Sequence, residues 1–190
     1  IGFFEILVYT VALGMVVGTA VMGKPEDNPP QGDLLDAAFR ADLTPAEIDK
    51  FIANPKGPMA ASLLSKATTR IIYDLTSYWR EPDLNKKPPA FAATLARETH
   101  VSDPLPAGGL KIRASLSFSD GFGREIQKKI QAEPGPVPKR DPAAGFIVTD
   151  GSGQPEMTEN SISPRWVASG WTVFNNKGKP VRQYEPFFTD

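Results

Sequence analysis

Over residues 110–119 the chain alternates with period two. Leu110, Ile112, Ala114, Leu116 and Phe118 fall on one face, and Lys111, Arg113, Ser115, Ser117 and Ser119 on the other. An extended strand puts successive side chains on opposite faces, so this run must lie between an apolar layer and a polar one. Asp120-Gly-Phe-Gly123 follows, and it carries turn chemistry. The aspartate can bond its own backbone, and glycine takes a positive φ without steric cost. Residues 124–133 then return as the partner strand, so the unit is an antiparallel hairpin.

The setting of that glycine recurs. Asp120-Gly-Phe-Gly123-Arg-Glu-Ile126 has an acid three residues before the glycine and an apolar residue three after it. Asn175-Asn-Lys-Gly178-Lys-Pro-Val181 repeats the spacing with Asn for Asp, and Asp150-Gly-Ser-Gly153-Gln-Pro-Glu156 keeps the turn but loses the apolar end. Val11-Ala-Leu-Gly14-Met-Val-Val17 keeps the glycine and the valine but loses the acid. Gly123, Gly153 and Gly178 lie 30 and 25 residues apart, within the range of repeat architectures. Any protein built from β-hairpins would also show such turns. Nineteen prolines and 16 glycines in 190 residues agree with short strands and many turns.

Other function classes are narrowed by what the chain contains. Its 21 Lys and Arg balance 22 Asp and Glu with no basic stripe, which argues against nucleic acid as a partner. There is no cysteine, hence no disulfide or thiolate metal site, and one histidine, His100, rules out a multi-histidine site within the chain. Residues 6–23 carry no charge and come close to the length of a membrane-spanning helix. Against that reading stand Glu5 just before the run, Gly14 and Gly18 within it, and its β-branched content: Val8, Thr10, Val11, Val16, Val17, Thr19 and Val21. A buried hairpin turning near Leu13-Gly14 is favoured over the membrane helix, and both readings stay open on these residues alone.

Residues 24–32 read as a loop, and a helical insert is expected over about 33–67. Asp33 caps a short helix with Leu34, Leu35, Ala38 and Phe39 on one side. Thr44-Pro45-Ala46-Glu47 is a capping box with proline at the first helical position, followed by the stripe Ile48, Phe51 and Ile52, and ended by Asn54-Pro55. A third helix over residues 58–67 buries Met59, Leu63 and Leu64. Further strands are expected over residues 70–78 and 92–101, with loops at 81–89 and 134–142. A final hairpin pairs residues 166–175 with 181–187 across Asn176-Lys177-Gly178. The organisation is therefore a hairpin over 1–23, a loop and helical insert over 24–67, and antiparallel strands over 68–190.

Candidate chemistry is weak. His100, between Glu98 and Asp103, could serve acid–base work, but no serine or cysteine nucleophile is marked and a cross-strand or solvent-facing role outweighs it. Asp120, Glu125 and Asp150 could supply a carboxylate pair for glycoside hydrolysis, yet their places in turns and on a polar strand face point to turn formation. Asp150-Gly-Ser-Gly153 lacks the ligand series of a calcium loop. Trp166, Trp171, Tyr184, Phe187 and Phe188 could form a sugar platform, although such density more often fills a sheet core or a subunit interface. No catalytic, cofactor-binding or metal-ligating residue is assigned.

The turn motif resembles the YD or RHS repeat, in which an aromatic-Asp pair precedes Gly-Arg and a strand. Phe118-Ser-Asp120-Gly-Phe-Gly123-Arg124 matches best, with phenylalanine for tyrosine and one extra residue before the aspartate. Longer blocks are similar to the B component of bacterial Tc insecticidal toxin complexes. They are residues 119–136, residues 164–188, Leu13-Gly-Met-Val-Val-Gly-Thr-Ala-Val-Met-Gly23, Ala67-Thr-Thr-Arg-Ile-Ile-Tyr-Asp74 and residues 90–103. Residues 1–12 depart from that pattern, where a polar strand with a turn aspartate would stand before Leu13.

The resemblance implies a non-catalytic, mainly β section of a hollow RHS-type shell, an open fragment of a longer secreted chain. In that family the shell is shared with the C component and encloses its toxic part, while a propeller elsewhere in the B component docks on the A component. Asp120, Gly123, Arg124, Asn175 and Gly178 would be structural residues of the repeat turns. The resemblance also favours a strand over a membrane span at the N-terminus. Ile1 in place of methionine and the aromatic run ending at Asp190 fit the same expectation of a fragment. The alternative is a carbohydrate-binding or hydrolytic extracellular β-domain acting alone.

Overall fold

The computed structural model describes residues 5–10, 14–24, 28 and 30–190. It divides into two compact units, Ile1–Leu116 and Ser117–Asp190, and is mainly antiparallel β.

In the first unit β1 (Glu5–Thr10) pairs antiparallel with β2 (Val16–Met22), from Glu5↔Met22 to Tyr9↔Gly18, with a register slip before Thr10↔Val16. The uncharged N-terminal run is thus a hairpin, and no helix among the described residues is long and apolar enough to cross a membrane. Gly14 has a φ of +74°, and residues 11–13 of the expected turn lie outside the described residues. β3 (Thr69–Asp74) pairs with β2 at Gly18↔Arg70 and Thr19↔Thr69, and along its whole length with β4 (Ala90–Arg97). β5 (Ile112–Ser119) follows β4 in strand order, and the division between the units falls inside it.

The capping box forms as the sequence predicts. Helix α1 (Pro45–Ala53) starts with Glu47 N donating to Thr44 Oγ1 and Thr44 N donating to Glu47 Oε2 at 2.9 Å. Its stripe buries Ile48 and Phe51, each stabilising the unit by roughly 1.5–3 kcal/mol relative to exposure. Helix α2 (Pro58–Leu64) ends earlier than the expected residue 67, because Ser65 turns left-handed at φ 50° and its amide closes on Ala61 O. Leu64 is buried, whereas Met59 and Leu63 are only half-buried.

The expected helix beginning at Asp33 does not form. Asp33 N donates to Val21 O at 2.7 Å and Leu34 N to Lys66 O at 2.9 Å, so this segment spends its backbone groups on other segments instead of a helical ladder. Leu35 and Phe39 are buried nonetheless, while Leu34 is exposed. The expected strand over 70–78 also stops short, at Asp74. Its Oδ1 accepts from Thr76 N and Ser77 N and starts the short helix α3 (Ser77–Arg80). The face of β3 turned to the core carries Arg70, Ile72 and Asp74, against Phe91, Ala93 and Leu95 on β4.

In the second unit β6 (Glu125–Ala132) pairs with β7 (Arg165–Ala168) from Lys129↔Ala168 to Ala132↔Arg165. The final hairpin divides in two at Gly170. Its inner part is a separate ribbon of β8 (Thr172–Phe174) and β9 (Pro180–Gln183), and its outer part pairs β7 with β10 (Phe187–Thr189). Between β6 and β7 three extended segments bond one another in a ring: Lys139 N to Glu156 O, Glu156 N to Val148 O, and Val148 N to Lys139 O, at 2.7–2.9 Å. The proline-rich loop expected over 134–142 forms one side of this ring.

The Thr44 amide, then the Arg40 guanidinium and the Thr44 hydroxyl, hold the Glu47 carboxyl down at about 2 against an ordinary 4.5. A depressed carboxyl contributes stability that is present above its unfolded value and lost as pH falls through its folded value. The stability lost in Glu47→Gln should therefore be full above about pH 4.5 and vanish towards about pH 2. Paired thermal melts of the two proteins followed by circular dichroism check this; a difference that stays constant across the window contradicts it.

Candidate functional site

Three five-residue turns in the second unit share one bonding pattern. At Asp120, Asp150 and Asn175 the side-chain Oδ1 accepts from the amides two and four residues on, at 2.8–3.0 Å. The residue's own amide donates to the carbonyl four residues on, and its carbonyl accepts from Gly123, Gly153 or Gly178 respectively. Those glycines have φ of +76°, +83° and +74°. The side chain thus satisfies amides that the tight turn would leave free, and glycine accommodates the left-handed backbone.

Two of these turns meet at Arg124. Its guanidinium pairs with Asp120 Oδ2, Nε at 2.6 Å and Nη2 at 2.5 Å, and lies 5.1 Å from the Phe122 ring centre and 4.6 Å from that of Phe174 on β8. A Cβ on Gly178 would stand 3.2 Å from Arg124 Nη1. Asp120, Gly123, Arg124 and Gly178 are therefore gathered at one place, with Asn175 closing the second turn. Arg124 and the turn amides draw the Asp120 carboxyl below its usual range, although desolvation, the largest single influence, pushes it the other way.

The catalytic candidates are engaged elsewhere. Glu125 accepts from Ser117 Oγ at 2.7 Å, and Asp150 is taken up by its own turn. The His100 imidazole pairs with neither the Glu98 nor the Asp103 carboxylate: its Nδ1 donates to Asp33 Oδ2 at 2.8 Å, while Glu98 pairs with Arg113 and the Asp103 carboxylate accepts from Ser102 Oγ. No group of three or more His, Cys, Asp or Glu side chains among the described residues could hold a metal ion. The aromatic candidates separate as well. Trp166 is buried within the sheet, and Trp171, Tyr184 and Phe188 remain exposed. Arg165 covers the Phe188 ring at 3.5 Å from its centre.

Buried charges under the first unit's sheet were missed by sequence reasoning. The Asp33 carboxylate also accepts from Thr68 Oγ1 at 2.5 Å and Val101 N at 2.8 Å, with Arg97 Nε 3.6 Å away. Arg70, 1% exposed, donates to Arg40 O and Ala41 O and lies 4.5 Å from the Phe39 ring centre, and burial pushes it down to about 10. Asp74 takes a two-pronged bond from Arg80, which also reaches Asp49 on α1. Desolvation raises the Asp74 carboxyl, but Arg80 and the Thr76 and Ser77 amides outweigh it and leave it lowered. Asp74-x-Thr-Ser is readable as a turn start. Nothing in the sequence marks Asp33 or Arg70 as buried.

No protein-family model and no curated protein matches the chain. The crystal structure of TcdB2-TccC3 without its hypervariable C-terminal region covers 97% of this chain at a TM-score of 0.68 and 20% identity. The fold is that of a Tc toxin component region. The Photorhabdus luminescens Tc holotoxin pore with a substituted TccC3 has the Tc fold over 98% of the chain, at a TM-score of 0.64 and 21% identity. The chain spans about 10% of the length of each of these Tc chains.

Two glycines of this Tc fold differ in what they protect. A Cβ on Gly123 meets nothing within 4 Å, whereas one on Gly170 would stand 2.0 Å from the Tyr184 carbonyl oxygen. Gly123→Ala should cost only the left-handed strain, about 1 kcal/mol, and Gly170→Ala more than about 2 kcal/mol because backbone must also move. Urea denaturation of both variants measures the difference; equal losses would contradict the close approach.

Proposed function

We propose that this chain is a structural, non-catalytic section of the β shell of a Tc toxin B component, part of the wall that encloses the toxic portion of the C component. The observation that carries the reading is the Tc fold along nearly the whole chain. The chemistry of the described residues supports it. Asp120, Asp150, Glu125 and His100, the side chains nearest to a catalytic set, are each committed to a turn, a strand or a buried carboxylate. A wall has to hold its shape, and these bonds serve shape. The recurring turns, with Asp120, Gly123, Arg124, Asn175 and Gly178, are read as RHS-type repeat turns that set where each strand reverses.

On this reading the parent protein is a secreted virulence factor. Its partners are the C component, through the shared shell, and the A component, through another part of the parent chain. Co-expression of the parent chain with a candidate C component, followed by size-exclusion chromatography and negative-stain imaging, tests the assignment. A stable hollow particle with one copy of each is the expected result. A monodisperse parent chain that ignores the C component overturns it.

A further inference from the structure

His100 is the chain's one histidine, and it sits in a braced turn. Asp103 N donates to His100 O at 3.1 Å, Ser102 N donates to Gly32 O at 3.2 Å, and Gly32 N donates back to Ser102 Oγ at 2.9 Å. With Val101 N on Asp33 Oδ1, these bonds tie the loop after β4 to the segment that carries Asp33. The Asp33 side chain is fully buried, whereas that of His100 is 44% exposed. A carboxylate only accepts, so the 2.8 Å bond to Asp33 Oδ2 keeps a proton on Nδ1 of the ring. In the neutral imidazole the lone pair is then on Nε2, which has no hydrogen-bond partner among the described residues.

We propose that His100 Nε2 is a nucleophilic modification site, and that the group it takes is an acyl group from an uncharged activated ester or anhydride. Asp33 supplies two things that such a nucleophile needs. It holds the ring in the tautomer that leaves Nε2 free, and its charge stabilises the cationic ring that forms as Nε2 attacks. In the step, Nε2 bonds to the carbonyl carbon, the bond from that carbon to the leaving oxygen breaks, and the oxygen departs with the electron pair. The positive charge of the acylated ring is carried at Nδ1–H, against Asp33 Oδ2. The surroundings select the donor. Phosphoryl transfer relies on cations that hold the transferred oxygens, and the arginines of the neighbouring ion pairs are taken. Arg97 is held by Ala67 O, Ser65 O and Asp33, and Arg113 by Glu98. Asp103, in the same turn as His100, adds a carboxylate that accepts from Ser102 Oγ and has no ion pair among the described residues. The setting therefore suits an uncharged acyl donor over a phosphoryl dianion. This inference does not rest on the shell reading.

The test uses the whole chain, with acetyl-histidine amide as the reference. Long-range proton–nitrogen NMR in mildly alkaline solution should show a protonated Nδ1 and an unprotonated Nε2. Diethyl pyrocarbonate, an uncharged acyl donor, should acylate His100 about fivefold faster than the reference, as for a ring cation stabilised by one partly exposed ion pair. The ultraviolet absorbance of carbethoxyhistidine reports on this residue alone, because the chain has no other histidine, and peptide mass mapping locates the adduct. Phosphoramidate, followed by phosphorus NMR, should react with the chain no faster than with the reference. A proton on Nε2 with none on Nδ1 overturns the proposal. So does acylation at or below the reference rate, which is what a merely structural histidine would show, or a larger gain with phosphoramidate than with the acyl donor.

Discussion

Asp33 has a fully buried carboxylate, and the first unit is arranged around satisfying it. Val21 N donates to Thr68 Oγ1, which donates to Asp33, and Asp33 also accepts from the Val101 amide and the His100 imidazole. An unpaired buried charge would cost several kcal/mol, so each of these donors is held where the carboxylate needs it. The bonds tie the start of the irregular segment to the approach to β3 and to the loop after β4. Arg70 does the same further along by holding Arg40 O and Ala41 O, while Gly18 leaves room for the Phe39 ring, where a Cβ would fall 2.3 Å from it. Through these contacts a stretch without regular structure delivers Thr44 to the point where α1 begins.

The second unit reaches order by local means. Each Asp or Asn turn satisfies its own amides within five residues, so it needs no distant partner to form. The difference between turns lies in the residue after the glycine. Gln154 and Lys179 follow Gly153 and Gly178, but Arg124 follows Gly123, and only a planar, five-donor cation can pair with Asp120 while facing two aromatic rings. Arg124 thus converts one local turn into a link between the β5–β6 hairpin and the β8–β9 ribbon. That matters because an isolated two-stranded ribbon is marginal in water.

This contrast explains what could be read from the sequence. The alternation over residues 110–119, the Thr44–Glu47 capping box and the Asp–Gly turns are short-range devices, and all three are present. The errors fall where a distant partner decides. Asp33 followed by Leu34 and Leu35 looks like a helix start, but the partner of Asp33 is 67 residues away at His100. Arg70 alternates in phase with Ile72 and Asp74, opposite the more apolar phase of Ile71 and Tyr73, so period two gives no sign that it is buried; the Arg40 and Ala41 carbonyls that make this tolerable lie 30 and 29 residues away. Gly170 reads as an ordinary strand glycine until the Tyr184 carbonyl is brought against it. As for the site, the turn residues were visible and their convergence on Arg124 was not, since spacing alone does not bring Phe174 to Arg124.

The same division bears on chemistry. The acidic and imidazole groups that sequence singles out each make structural bonds: Asp120 and Asp150 accept from turn amides, Glu125 accepts from the Ser117 hydroxyl, and His100 Nδ1 donates to the Asp33 carboxylate. Polar groups used in this way fix a shape, because each would be costly to strand in a low-dielectric interior or a tight turn.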